Sequence, residues 1–255
     1  MMQDSERVAQ LTIGLAAIRA RLARAAEAAS RPVGEIQLLP VTKFFPASDV
    51  AILWRLGCRA FGESRAQEAK AKIAEFDQLI TAGADSVHSG RPHWHMIGQI
   101  QRNKAKSVAA WADTAHSVGT VKLAAALDSA ASEALAEGRR REPLRVFVQI
   151  SLDGDTARGG VDIGDASSVD RVCARVAEAE ALRLVGLMAV APLGADPDRA
   201  FAALAEEHRR VLSSHPEATE LSAGMSHDLE AAVRHGSTCV RVGTALMGER
   251  PLTSL

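Results

Sequence analysis

Tyrosine is absent from this sequence of 255 residues, and phenylalanine and tryptophan together make up only 4% of it. Cysteine is also scarce: Cys58, Cys173 and Cys239 are odd in number and widely spaced. Such spacing matches neither a metal-binding motif nor a disulfide framework. Scattered cysteines of this kind are typical of proteins in a reducing compartment, and we therefore expect a cytoplasmic protein.

Long apolar runs and an unbalanced charge are absent as well. No stretch of about 18 apolar residues occurs, and the N-terminal region has no apolar segment of signal-peptide type, so the sequence predicts no membrane association. The 30 Lys and Arg residues are matched by 31 Asp and Glu residues, for a net charge of −1. Because no basic block or aromatic-interleaved basic stripe occurs, the sequence does not predict nucleic-acid binding.

The sequence does contain a regular alternation of short apolar strands and alanine-rich helices. An amphipathic helix is predicted first, over about 5–29, from apolar residues spaced three and four apart. Eight strands follow, over 36–43, 59–63, 94–100, 114–118, 145–151, 183–190, 220–223 and 239–245. Each is followed by a helical pattern, and the stretch 83–92 is predicted to be a surface loop.

Alternating strands and helices form parallel sheets, and eight such units in about 250 residues fit a (β/α)8 barrel. We therefore predict an α/β fold in which residues 1–255 form one barrel domain with an extra N-terminal helix. An open, doubly wound sheet is the alternative, but no GxGxxG motif follows the first strand.

The first predicted strand ends on Lys43. At the C-terminal rim of a barrel, this lysine would lie above an apolar interior. Loss of water there lowers the pKa of an ammonium group, and the free amine can attack carbonyl compounds. An ordinary lysine that leaves a strand for solvent is the alternative at this position.

Small and hydroxyl residues follow the last two predicted strands. Ser222, Gly243 and Thr244 occupy strand ends where barrels commonly bind a phosphate through backbone N–H groups and a helix N-terminus. Ser226 either joins them or acts as the N-cap of the next helix.

Strand alternation turns Arg241 inward together with Gly243. A buried guanidinium needs an acceptor, which is either a ligand atom or a glutamate such as Glu63 or Glu220. His93 and His95 share a strand face, but no third ligand follows at a recognisable spacing, so we predict no metal site. The residues alone thus predict a phosphate-bearing carbonyl ligand at one rim.

Several motifs together resemble those of the pyridoxal phosphate homeostasis protein family, also called the YggS or PROSC family, whose members are similar to the N-terminal barrel of alanine racemase. The matching stretches, which run through nearly the whole chain, are PVTK (40–43), FGESRAQE (61–68), WHMIGQIQRNK (94–104), GLM (186–188), LSAGMS (221–226) with Asp228, and VRVGT (240–244). The combination is highly specific, although each piece alone is not.

The resemblance implies a fold-type III barrel that binds pyridoxal 5′-phosphate (PLP), with Lys43 carrying the cofactor as an aldimine. It implies that Ser222, Gly243 and Thr244 bind the phosphate and that Arg241 faces the ring nitrogen. Met225 and Ser226, which complete this part of the rim, are the remaining cofactor-binding residues that it implies.

Two positions depart from the family pattern. Ser64 stands where asparagine is usual, and Gly119 stands where an acidic residue is common. The role implied by the resemblance is to hold, buffer or deliver PLP, with PLP-dependent apoenzymes as recipients and a monomer or weak dimer as the assembly.

Two other functions stay open. A PLP-dependent amino-acid racemase would use the same lysine, but alanine racemases take a second base, a tyrosine, from a second domain of the partner subunit. A cofactor-free aldolase would use the lysine on a phosphorylated substrate instead.

Overall fold

The computed structural model describes residues 2–82 and 90–249, so most of the loop predicted over 83–92 lies outside the described residues. Nine strands are present: β1 Gln37–Pro40, β2 Ala60–Glu63, β3 His93–Met96, β4 Thr114–Val118, β5 Leu144–Ser151, β6 Val161–Asp162, β7 Leu182–Ala189, β8 Glu220–Ser222 and β9 Cys239–Val242. All pair in parallel, in the order β1-β9-β8-β7-β5-β4-β3-β2. A bridge between Val41 and Gly62 joins β1 to β2 and closes the circle, while the short β6 pairs only with β5.

The helices alternate with the strands as predicted. They are α1 Met2–Ala28, α2 Ala47–Arg55, α3 Ala66–Ala82, α4 Ala105–Ala109, α5 Val121–Ala136, α6 Ala166–Ala177, α7 Pro197–Leu212, α8 Leu229–Arg234 and α9 Thr244–Met247. The prediction of a (β/α)8 barrel with a leading helix is confirmed. None of the helices in the described part of the chain is long and apolar enough to cross a membrane.

Apolar spacing decides how the helices pack on the barrel. In α6, Val169, Val172, Cys173 and Val176 recur at intervals of three and four, and all four are buried against the sheet. Full burial of an aliphatic side chain contributes about 1.5–3 kcal/mol, so such a face is enough to hold a short helix in place.

The leading helix α1 packs beside the last two helices of the barrel, α8 and α9. Leu11, Leu15, Ile18 and Leu22 are buried in the same cluster as residues of α8 and α9. A Cβ atom on Gly14 would lie 3.0 Å from the carbonyl oxygen of Leu246, so the small residue permits this close approach. Helix α1 therefore supports the side of the barrel on which α8 and α9 lie.

Inside the barrel, apolar groups share the space with polar ones. Phe147, Val185 and Met188 form one buried apolar cluster, and Leu39, Ala60 and Cys239 belong to another. Four buried polar side chains lie among them: His95, His116, Ser222 and Arg241. The interior beneath the rim is thus less uniformly apolar than the sequence predicts.

Candidate cofactor site

Lys43 lies in a tight turn after β1, and the strand is shorter than predicted. The β1–β9 ladder ends at Pro40. The N–H of Phe45 then donates to the carbonyl oxygen of Thr42, and Phe44 adopts the left-handed conformation, with φ of 71°. Non-glycine residues rarely adopt this conformation, so the neighbouring contacts must hold the turn. Lys43 itself is half-buried, and its Nζ lies 5.8 Å from the centroid of the Phe44 ring.

A buried ion pair between Glu63 and Lys72 holds this turn through contacts with Thr42. Thr42 donates through Oγ1 to Oε1 of Glu63 over 2.7 Å, and Lys72 donates to the same oxygen over 2.6 Å. Lys72 also donates to the carbonyl oxygen of Thr42 over 2.8 Å. The side chains of Glu63 and Lys72 are only 2% and 11% exposed. Since β2 and α3 supply this pair, both elements help to orient Lys43.

Neither of the two glutamates considered as partners of Arg241 is bonded to it. Glu63 is paired with Lys72, and Glu220 is paired with Arg145. Among the described residues, no carboxylate lies within ion-pair distance of Arg241. The interpretation of Arg241 as half of a structural ion pair is therefore wrong.

Arg241 is nevertheless buried, with 5% of its surface exposed. Its Nη1 donates to Oγ of Ser222 over 2.5 Å, and its Nη2 donates to the carbonyl oxygen of Ala189 over 2.8 Å. Desolvation by burial lowers its pKa, although an arginine stays charged at any physiological pH. A buried cation with only neutral partners favours an acceptor from a ligand.

The loops after β8 and β9 meet at the C-terminal rim. Gly243 precedes α9, and Thr244 is its first, exposed residue. The N–H of Ala245 donates to Oγ of Ser226 over 3.3 Å, which connects the two loops. In the part of the chain that the structure describes, the N–H groups of Gly243 and Thr244 find no acceptor.

Neighbouring contacts fix the loop after β8. The N–H of Met225 donates to Oδ1 of Asp228 over 2.5 Å, and Nη1 of Arg21 donates to the carbonyl oxygen of Ser226 over 2.6 Å. The N-cap of α8 is Asp228, so the alternative reading of Ser226 as that cap is wrong. Gly224 has φ of 91°, and a Cβ there would lie 2.6 Å from the Cβ of Ala232, so this position requires glycine.

Ser222 lies lower in the barrel than Gly243 and Thr244. Ser222 lies opposite Cys239 of β9. Two residues further along β9, the N–H of Arg241 donates to the carbonyl oxygen of Gly224, which is therefore closer to the rim than Ser222. Its hydroxyl is fully buried and bonded to Arg241, so the structure does not bring it to the rim. The phosphate contact predicted for Ser222 stays a prediction.

The structure accounts for one of the two departures from the family pattern, Gly119. Ser64 lines a cavity of about 280 Å³ between the loops after β2 and β3. A Cβ on Gly119 would lie 2.8 Å from Cα of Gly160, because the loops after β4 and β5 touch there through their backbones. An acidic side chain at position 119 therefore does not fit this arrangement.

The histidines that shared a predicted strand face lie away from the rim. His93 is exposed, His95 is buried, and both line a cavity of about 670 Å³ at the N-terminal mouth of the barrel. The described residues contain no group of three His, Cys, Asp or Glu side chains that would suit a metal ion.

Sequence reasoning missed two features of the site. It did not single out His116, although strand alternation places this residue on the inner face of β4 with Thr114. It also missed the pairing of Glu63 with Lys72, for which the sequence contains no local signal.

The chain is similar to known proteins both in fold and in family. A family model described as the N-terminal domain of alanine racemase matches residues 13–251. The alanine racemase of Corynebacterium glutamicum is 18% identical with a TM-score of 0.63, over 98% of this chain and 62% of that chain, which shows a shared fold. The chain is thus a barrel of the alanine racemase N-terminal class.

Closer relatives carry a more specific name. A "Pyridoxal phosphate homeostasis protein" of Mycobacterium tuberculosis is 64% identical over 98% of this chain and 96% of its own length. The protein of that name in Escherichia coli is 35% identical over 92% and 95%. PipY of Synechococcus elongatus, solved with PLP bound, is 31% identical with a TM-score of 0.75, over 94% of this chain and 100% of that one. The chain belongs to the pyridoxal phosphate homeostasis protein family.

Proposed function

We propose that this protein binds PLP at the C-terminal mouth of its barrel, covalently through Lys43, and that it holds the cofactor for use elsewhere in the cell. The observation that carries the proposal is the buried cation of Arg241, which has no carboxylate partner among the described residues. Family membership and the PLP-bound structure of PipY support the same ligand.

The groups present fit the chemistry of this cofactor. PLP supplies an aldehyde, which forms a covalent bond with a lysine amine, and it carries a phosphate and a pyridine nitrogen. Lys43 at the mouth provides the amine. Arg241 is a pure donor and suits the nitrogen, which accepts a hydrogen bond. Backbone N–H groups and hydroxyls next to a helix start suit the phosphate.

Each of the remaining residues receives a role from its place in the rim. Gly243 and Thr244 offer N–H groups that have no acceptor among the described residues, and Thr244 adds a hydroxyl. Ser226 lies beside them through its bond with Ala245, and Met225 precedes it in the same loop. We assign the phosphate to the site formed by these four residues. Ser222 lies below this site, deeper in the barrel.

Storage or delivery of PLP accounts for these features better than catalysis does. We infer that the recipients are PLP-dependent apoenzymes in the cytoplasm. The chain has no tyrosine to act as the second base of an alanine racemase-like reaction. The relatives' name, which describes homeostasis, agrees with this role.

Borohydride reduction of the PLP-loaded protein tests the assignment. Reduction makes the lysine–cofactor bond permanent, and peptide mapping then locates it. We expect the label on Lys43, its loss in Lys43→Ala, and its retention in the control Lys70→Ala. Because a rim lysine contributes little to the core, Lys43→Ala should unfold at nearly the same denaturant concentration as wild type. A label on another lysine, with Lys43 unmodified, would rule out the assignment.

A further inference from the structure

Behind Arg241, a row of buried polar side chains crosses the interior of the barrel. Nη1 of Arg241 lies 2.5 Å from Oγ of Ser222, which lies 3.0 Å from Nδ1 of His116. Nε2 of His116 then lies 2.9 Å from Nδ1 of His95. The row joins β9, β8, β4 and β3, and it ends at the cavity of the N-terminal mouth.

We assign the row one direction of donation, which starts from Arg241. Arg241 only donates, so Oγ of Ser222 accepts from it. The hydrogen of Ser222 is then available to Nδ1 of His116. The Nε2–H of His116 in turn donates to Nδ1 of His95. This order places one donor hydrogen and one acceptor between each pair of neighbours in the row, as buried polar groups require.

Both histidines are neutral in this arrangement. Desolvation by burial lowers the pKa of His95 to about 3, with Arg145 and His93 adding to the effect and Asp113 opposing it. Desolvation also lowers the pKa of His116 well below its ordinary value, and the nearby Arg241 adds to the effect. The row therefore carries one positive charge, which lies on Arg241.

Because the partners of Arg241 are neutral, its positive charge stays available to a ligand. A carboxylate would fix the guanidinium but would also compensate its charge. Ser222 and the carbonyl oxygen of Ala189 fix two of the N–H groups of Arg241 without compensating the charge. The remaining N–H groups therefore stay available for a charge-assisted hydrogen bond to a ligand.

We propose that His116 is a positioning residue for the cofactor ring: through Ser222, and with His95 behind it, it holds the guanidinium of Arg241 toward the pyridine nitrogen. This inference rests on the proposed function, because it assumes that PLP occupies the mouth. His116 also packs on Phe147, with ring centroids 4.5 Å apart, so packing alone is the competing explanation for its presence.

The test compares PLP with its 1-deaza analogue, in which carbon replaces the ring nitrogen. Affinities for both ligands are measured by equilibrium dialysis for wild type, His116→Phe and His116→Asn. Phenylalanine keeps the ring packed on Phe147 but removes the acceptor for Ser222. Asparagine places an amide oxygen near the position of Nδ1. The control is His208→Phe, since His208 is a buried histidine of α7 whose Nε2 contacts the carbonyl oxygen of Ala218.

We expect His116→Phe to bind PLP about tenfold more weakly and to bind the deaza analogue as wild type does, because only PLP loses an oriented hydrogen bond. His116→Asn should recover most of the loss, and His208→Phe should leave the ratio of the two affinities unchanged. Equal weakening of both ligands, or no weakening of PLP, would overturn the inference. If wild type bound the two ligands equally, the ring contact would be absent; if it bound neither, the proposed function itself would fail.

Discussion

At the scale of single residues, the arginines of this protein differ in their partners. Several of them form ion pairs near the surface, as Arg158 does with Asp153 and Arg210 does with Asp170. Arg241 is buried and bonds only to neutral groups. Surface pairs contribute little to stability, whereas a buried, uncompensated cation costs free energy. Its presence therefore indicates a function at the mouth of the barrel.

A prediction at this scale concerns the phosphate. We expect Thr244→Val to weaken PLP binding by about tenfold or more, because a lost hydrogen bond to a charged group is worth about 1.5–3 kcal/mol. Thr244→Ser, which keeps the hydroxyl, is the control. Dissociation constants are compared for PLP and for pyridoxal, which has no phosphate. Equal losses for both ligands would show that the phosphate lies elsewhere.

A second residue-scale prediction concerns catalysis. Arg241 only donates, so a ring nitrogen that faces it stays unprotonated and stabilises a substrate carbanion poorly. Lys43 provides a base on one face, and the chain has no tyrosine for the other. We expect alanine racemisation many orders of magnitude slower than in a dedicated enzyme. Deuterium incorporation at Cα in heavy water measures it; fast exchange with inversion that Lys43→Ala abolishes would favour the racemase.

At the scale of elements, the turn after β1 depends on its neighbours. Phe44 lies in a rare backbone conformation, and the Glu63–Lys72 pair from β2 and α3 holds Thr42, the residue before Lys43. The orientation of Lys43 is thus a property of three elements together.

Removal of one partner of this pair is expected to be costly. Lys72→Met leaves the carboxylate of Glu63 buried and unpaired, which should lower the free energy of unfolding by about 3–5 kcal/mol. The double variant Glu63→Gln/Lys72→Met should lose clearly less. Lys106→Met, which breaks an exposed pair with Glu133, should lose at most about 1 kcal/mol. Urea unfolding measures all three, and similar losses at positions 72 and 106 would contradict a special role of the buried Glu63–Lys72 pair.

The elements were predictable because their signals are local. Apolar alternation and helical spacing located the barrel units, and the same alternation placed Arg241 inside. The end of β1 was not predictable from local sequence. It lies at Pro40, where the pairing with the distant strand β9 ends. His116 lies 106 positions before its partner Ser222, and no local pattern announces such a pair.

At the scale of the whole molecule, buried histidines couple stability to pH. Desolvation keeps the pKa of His95 and that of His116 below the value of about 6.5 that an unfolded chain has. Below about pH 6.5 the unfolded chain therefore binds protons that the folded protein does not, and stability falls as the pH falls. Above that pH these two groups are neutral in both states and the effect vanishes.

This coupling is measurable from urea unfolding at several pH values. Each such histidine should lower the free energy of unfolding by about 1.4 kcal/mol per pH unit below about pH 6. His116→Asn should remove one histidine's share of this slope between about pH 6 and pH 5. The same substitution at the exposed His227 is the control for loss of an imidazole. A slope unchanged in His116→Asn would show that His116 is protonated in the folded protein.

The backbone contacts between rim loops also limit how this protein can evolve. A Cβ on Gly98 would lie 2.1 Å from the carbonyl oxygen of Ser64, and Gly119 meets Gly160 in a similar way. At these two positions neighbouring loops touch through their peptide groups, so neither position has room for a side chain. A library randomised at positions 98 and 119 should return glycine among its folded members. New ligand preferences would therefore have to arise at other positions of the mouth, such as Ser226 and Thr244 in the loops after β8 and β9.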